Sequence, residues 1–197
     1  MSSQLRPALT IFAALTLLCG VAYPLAVTAI GGAAFPAQAG GSMLEVNGKR
    51  VGSSLIGQAF SSPQYFWSRP SATAPMPNNA AGSSGANQGP TNPALLDAVK
   101  GRIAALQAAD GAAGVANPGP IPVDLVTASA SGLDPEISVA AARYQAGRIA
   151  ATRHLSVEQV LALIARQQQT PWLGVFGEAR VNVLALNLAL DRAQAHG

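Results

Sequence analysis

The sequence predicts an α+β chain: a single N-terminal transmembrane helix, then one exported, mostly helical domain with a small β-hairpin or sheet. Three observations predict it. Ala8 to Ile30 is a run of 23 almost wholly apolar residues without a charge. Asn47-Gly48 sits between two short apolar runs. Downstream, Asn92-Pro93, Asp134-Pro135 and Ser156 with Gln159 each precede a segment of helical periodicity, as capping residues do.

Composition narrows the class. The 197 residues suffice for one domain and an extra segment. Hydrophobic residues make up 49% and charged residues only 11%, against about 25% charged in an ordinary soluble domain. This balance indicates a membrane-associated or secreted protein. The net charge of +3 comes without a basic run, and aromatic residues are 5%, so neither a phosphate-tracking surface nor a base-stacking platform is indicated. Cys19 is the single cysteine, which excludes an internal disulfide. Bulky Leu18 precedes it and apolar sequence continues past it, which argues against lipid modification after signal cleavage.

At the helical rise, Ala8–Ile30 spans about 35 Å, enough to cross a bilayer with some tilt. Pro24 falls near the far end, where a kink is tolerated. Arg6 and the amino terminus precede the run, so the positive-inside rule places residues 1–7 in the cytoplasm and residues 36–197 outside. Ala37-Gln38-Ala39 has the small-x-small form of a signal cleavage site. The apolar run nevertheless exceeds the ~7–15 residues of a signal core, which favours an uncleaved anchor. Thr16, Gly20, Pro24 and Thr28 recur every four residues, a spacing at which small residues let another helix approach. A partner contact and chance recurrence both fit that stripe.

In the exported part, Asn47-Gly48 predicts a hairpin turn, because both residues accept positive φ. Gly48-Lys49 is no phosphate loop: Met43 occupies the position of the required earlier glycine, and Arg50 that of the Mg²⁺-binding hydroxyl. Residues 61–92 form a loop too long for a plain connection. Its front half, with Tyr65, Phe66, Trp67 and Arg69, is too aromatic for disorder. It is expected to be an ordered loop docked on the domain or against a partner. The back half, rich in Gly, Ser and Asn, reads as tight turns or a mobile tip. A helix follows Asn92 and Pro93, with Leu95, Leu96, Val99, Ile103 and Leu106 on one face. "IPVDLVTASASGLD" reads as a short buried strand entering a loop of small residues. Asp134 and Pro135 predict the start of the next helix, which Gly147 weakens midway. Ser156 and Gln159 open another, which stops by Pro171. "RVNVLALNLALDRAQ" alternates like a strand, yet its length and Val181, Leu184 and Leu188 favour a helix.

No reaction centre is evident. His154 and His196 lack metal-spaced partners and read as solvated. Glu45, Asp110, Glu158 and Asp191 fit exposed turns and helix faces. Ala128 to Gly132, "ASASG", lacks the spacing of a nucleophile elbow.

Taken in order, "RPAL", "GVAYPL", "SSLIGQAF", "YFWSRPSAT", "MPNN", "GPTNP", "VDLVTASASGLDPEIS", "QAGRIAATRHLSVEQV" and "VNVLALNLALD" cover nearly the whole chain. Together they resemble KdpC, the potassium-transporting ATPase C chain family. Two local departures fall in loops: "GSSGANQGPTN", and Ala179 after Glu178 where proline is common. The resemblance implies a non-catalytic subunit of a high-affinity, ATP-driven K⁺ uptake complex in the bacterial inner membrane. Its implied partners are a P-type ATPase subunit and a K⁺ channel-like subunit. It implies no cofactor held by this chain alone, with ATP bound only in a complex with the ATPase subunit, whose nucleotide affinity the C chain raises as a catalytic chaperone. The family's proposed nucleotide-contact glutamine matches Gln145, near the turn at Ser131 and Gly132; an ordinary helix-surface role fits Gln145 equally. An exported domain cannot touch cytoplasmic ATP, so the resemblance and the positive-inside reading pull apart at this residue. Two other classes compete: an independent membrane-anchored periplasmic binding protein for a peptide or glycan, and an anchored hydrolase. The lack of a nucleophile–base set counts against the hydrolase.

Overall fold

A computed structural model of the chain describes residues 4–117 and 119–195; His196 and residues 1–3 of the expected cytoplasmic segment lie outside the described residues. The chain separates into two compact units, residues 1–51 and 52–197.

The first unit is dominated by one continuous helical rod, longer at both ends than the apolar run alone indicates. Helix α1 (Leu5–Leu17) passes through a π-helical turn (Leu18–Ala22) into α2 (Tyr23–Ala34). The thirty residues Leu5–Ala34 are long and apolar enough to cross a membrane, and none is buried. The π-turn lies immediately before Pro24. Proline has no N–H for the carbonyl one turn back, and the ladder adjusts by widening: the Tyr23 N–H reaches the Leu18 carbonyl, five residues earlier. The extra residue holds the downstream helix back by about 100°, which offsets the drift of a four-residue repeat, so Thr16, Gly20, Pro24 and Thr28 stay near one face of the rod. The Thr16 hydroxyl is itself engaged, donating to the Phe12 carbonyl at 2.7 Å. A short helix α3 (Pro36–Ala39) leads to the hairpin β1 (Met43–Val46) and β2 (Lys49–Ser53). Asn47 and Gly48 adopt φ of 51° and 73°, the left-handed pair that a two-residue hairpin demands.

The second unit is α+β. From Ser54 to Asn92 no regular element forms. Helix α4 (Pro93–Ala112) follows, with the Asn92 side chain accepting from the Ala94 N–H at 3.0 Å. Its inward face is Val99, Ile103, Leu106 and Asp110; Leu96, expected there, is 52% exposed. The segment expected to be a buried strand instead makes a 3₁₀ turn, Val123–Leu125. Pro120 and Pro122 supply no N–H for a ladder, and Asp124 is needed elsewhere: its carboxylate accepts from the Ser138 N–H at 2.7 Å.

The third helix start also shifts. Asp134 does not cap it; its Oδ1 accepts from the Glu136 N–H, which holds Glu136–Ser138 as strand β3. Ser138 caps helix α5 (Val139–Arg153), accepting from the Ala141 N–H at 3.0 Å. Gly147 does not interrupt α5. A β-carbon there would lie 3.1 Å from Val115, so the glycine lets that neighbour pack closely. His154, exposed, ends α5 in the left-handed conformation. Helix α6 (Val157–Gln167) has the capping box of Ser156 and Gln159. It runs into β4 (Gln168–Gln169). "RVNVLALNLALDRAQ" is both things its pattern allowed: β5 (Arg180–Asn182), then helix α7 (Val183–Ala195). Asn182 makes the switch by accepting from the Ala185 N–H at 3.0 Å.

Strand β5 is central in an antiparallel sheet of order β3-β5-β4, with Ile137 opposite Val181 and Gln168 opposite Val181. Helices α5, α6 and α7 pack on it around Ile137, Ile149, Val160, Ile164, Leu186 and Leu190, all 2% exposed or less. Phe66, from the long loop, belongs to the same core at 0% exposure.

Candidate functional site

The loop aromatics are held by polar side chains at helical spacing. On α5, Gln145, Arg148 and Thr152 lie on one face at intervals of three and four, with Arg153 beside them. On α7, Asn187, Asp191 and Gln194 do the same. The segment Pro63–Trp67 lies between these rows as a strap.

Gln145 is fully buried, not a surface residue. Its Oε1 accepts from the Trp67 N–H at 2.8 Å and from Arg148 Nη2 at 2.7 Å. Its Nε2 donates to the carbonyls of Trp67 at 3.1 Å and Ala141 at 3.3 Å. Asn187 treats Phe66 alike, accepting from its N–H at 2.9 Å and donating to its carbonyl at 3.1 Å. Two amide side chains thus mimic a strand partner for two consecutive loop residues.

Arg148 is also fully buried. It donates to the Pro63 carbonyl at 3.0 Å, and its guanidinium carbon lies 4.6 Å from the centroid of the Trp67 ring. Its counter-ion is Asp110, with Nε and Oδ1 3.2 Å apart but not aligned as a hydrogen bond. Asp110 is 4% exposed, which corrects its expected place on a solvated helix face. Desolvation holds the Arg148 guanidinium below its ordinary pKa, against the opposing pull of Asp110. Burial, with Asp110 nearby, pushes the Tyr144 hydroxyl up. Further along, Arg153 stacks on the Tyr65 ring at 4.6 Å and pairs with Asp191 at 2.7 Å. Asp191 also accepts from the Tyr65 hydroxyl at 3.2 Å. Arg69 pairs with Asp134 at 2.9 Å.

The other sequence-selected residues gather in a second cluster. Gly132 has φ 68°, and its carbonyl accepts from the Ser71 hydroxyl at 2.7 Å and from Asn78 Nδ2 at 3.3 Å. The Ser131 carbonyl accepts from the Ser84 N–H at 3.0 Å and the Ser83 hydroxyl at 2.9 Å. The back half of the long loop is therefore built of turns seated on the "SASG" segment. Gln145 and Ser131–Gly132 serve different parts of one loop: the first holds the Trp67 backbone, the second the 71–84 turns. Phe66 is buried, while Tyr65, Trp67 and Arg69 keep partly exposed surface.

Sequence reasoning missed the receptors Arg148, Arg153, Asn187 and Asp191. The signal was present: polar residues at three- and four-residue spacing on two helices, in a chain whose loop carries three consecutive aromatics. It missed as well the turn at Thr170–Gly177. There Trp172 and Phe176 form an isolated β-bridge with rings 5.6 Å apart, and Trp172, Leu173, Val175 and Phe176 are each 60–75% exposed. Among the described residues no group of three His, Cys, Asp or Glu gathers to hold a metal.

The chain thus combines one helix of membrane-crossing length with an α+β unit whose buried polar side chains fix its own loop. Residues 5–192 match the family described as KdpC: K⁺-transporting ATPase, c chain. A potassium-transporting ATPase KdpC subunit from Herminiimonas arsenicoxydans is 68% identical over 192 residues, covering 98% of this chain and 99% of the relative. One from Janthinobacterium sp. (strain Marseille) is 66% identical, covering 98% and 100%, and one from Dechloromonas aromatica 60%, covering 97% and 98%. The chain belongs to the KdpC family and is an accessory subunit of a K⁺-transporting ATPase complex.

Proposed function

We propose that residues 36–197 act outside the bacterial inner membrane, with residues 1–7 in the cytoplasm, as the element that caps and holds together the channel-like and P-type ATPase subunits of the K⁺ uptake complex. ATP stays with the ATPase subunit, and this chain holds no cofactor alone. It raises nucleotide affinity by a coupling free energy carried through its partners. The state of Gln145 supports the indirect route: both ends of its amide are engaged, and a nucleotide contact would require releasing Trp67.

The observation that carries the docking role is the apolar turn of Trp172, Leu173, Val175 and Phe176. Contiguous large apolar side chains on an ordered surface mark an interaction site. The test is a Trp172→Ser, Phe176→Ser double variant co-expressed with the other subunits. Recovery of the partners in mild detergent is expected to fall severalfold, while the melting temperature of the isolated chain stays unchanged, because exposed rings leave no cavity. Undiminished recovery with undiminished K⁺ uptake contradicts the reading. Isolation without any large membrane partner supports the binding-protein alternative.

A further inference from the structure

A cavity of about 510 Å³ opens between the 85–88 segment, helix α4 and the 127–130 turn. Its wall contains two arginines, Arg69 and Arg102, and no carboxylate. Arg69 has Asp134 behind it, but its Nε is buried without a hydrogen-bond partner among the described residues. Arg102 has no carboxylate within ion-pair distance among the described residues; its one hydrogen bond goes to the Val126 carbonyl at 2.8 Å. It is a partly buried cation left without an acid, and desolvation holds its pKa below the ordinary value. Ser129, 3% exposed, also lines the cavity, and its hydroxyl has no hydrogen-bond partner among the described residues. The carboxamides of Asn87 and Gln88 complete the polar lining.

We propose that this cavity is a site for a tetrahedral phosphate group, bound through Arg102, Arg69 and Ser129. The donors come from three separate elements, so they approach an anion from different directions. A planar carboxylate is served by one guanidinium fork, whereas a phosphate offers oxygens to several donors at once. An unneutralised guanidinium and a cavity-lining serine hydroxyl without a partner are the groups that such a ligand would satisfy together, with Arg69 adding positive charge from the wall. The lining does not include Gln145, and it adjoins the Ser131–Gly132 turn through Ala130. The phosphate could come free from solution or as a phospholipid headgroup.

The test uses the full-length chain in maltoside micelles, which contribute no phosphorus signal. Line broadening in ³¹P NMR is followed for inorganic phosphate and, separately, for glycerophosphoglycerol, the soluble headgroup of phosphatidylglycerol. Binding of at least one probe is expected, weakened about tenfold or more by Arg102→Gln, as the loss of a charge-assisted contact entails, and retained by Arg102→Lys. Ser129→Ala removes no hydrogen bond within the protein, so its expected severalfold loss of binding cannot reflect misfolding. Tighter binding of the headgroup assigns the site to lipid, and tighter binding of inorganic phosphate to the free ion. No broadening with either probe, or equal broadening in wild type, Arg102→Gln and Ser129→Ala, overturns the proposal.

Discussion

Replacing Gln145 by alanine leaves the Trp67 N–H and Arg148 Nη2 without their acceptor inside the core. A buried donor stripped of its partner costs about 1–3 kcal/mol, so Gln145→Ala is expected to destabilise the chain by at least that amount in urea unfolding. If Gln145 instead contacted a nucleotide without holding the loop, the variant would change ATP affinity and leave stability untouched. Asp110→Asn is a harsher change. It leaves Arg148 charged, at 0% exposure, without its counter-ion. Removing one member of a buried pair costs about 3–5 kcal/mol, measurable by the same unfolding curves. Tyr65→Ala with Trp67→Ala removes both aromatic faces under Arg153 and Arg148, and is expected to loosen the strap and weaken partner recovery together.

At the scale of elements, the turn at Gly132 tolerates no side chain. Its φ is 68°, and a β-carbon there would lie 2.6 Å from both the Ser84 carbonyl oxygen and Thr73 Cγ2. Gly132→Ala should therefore release the 71–84 turns, seen as faster amide exchange there, at a cost of about 1–3 kcal/mol. Helix α6 carries a pH signature. The Glu158 carboxyl lies below its ordinary pKa, held there by its own backbone N–H and then by the Ser156 hydroxyl. A depressed carboxyl contributes stability above its unfolded-state pKa and loses it as pH falls through the folded pKa. Glu158→Gln should flatten the acid limb of the melting temperature against pH. The helix starts at Asn92 and Ser156 and the turn at Asn47-Gly48 were legible in the sequence because each is fixed by residues two or three apart. The start at Asp134 was misread because the carboxylate had a closer use, in an Asx turn and an ion pair with Arg69, sixty-five residues away. The burial of Gln145 and Asp110 was illegible for a related reason: a polar residue on a helix reads as solvated until the loop that covers it is known.

At the scale of the molecule, the proposed export of residues 36–197 poses a question of sidedness. Cysteine at Ser83, with Cys19→Ala, answers it, since Ser83 is exposed. Labelling by a membrane-impermeant thiol reagent in intact spheroplasts is expected. Protection that ends when the membrane is opened would put the unit in the cytoplasm and reopen direct nucleotide contact. The geometry of the strap bears also on the order of events during synthesis. Its helical receptors lie far downstream: Gln145 is 78 residues beyond Trp67, Asn187 is 121 beyond Phe66, and Asp191 is 126 beyond Tyr65. A ribosome making about 5–20 residues per second releases the aromatics many seconds before their seat exists. The nascent chain stays unlatched until its last helix arrives. Under the proposed topology, in which the polypeptide is threaded outward through a translocation pore, that delay would keep it loose enough to pass.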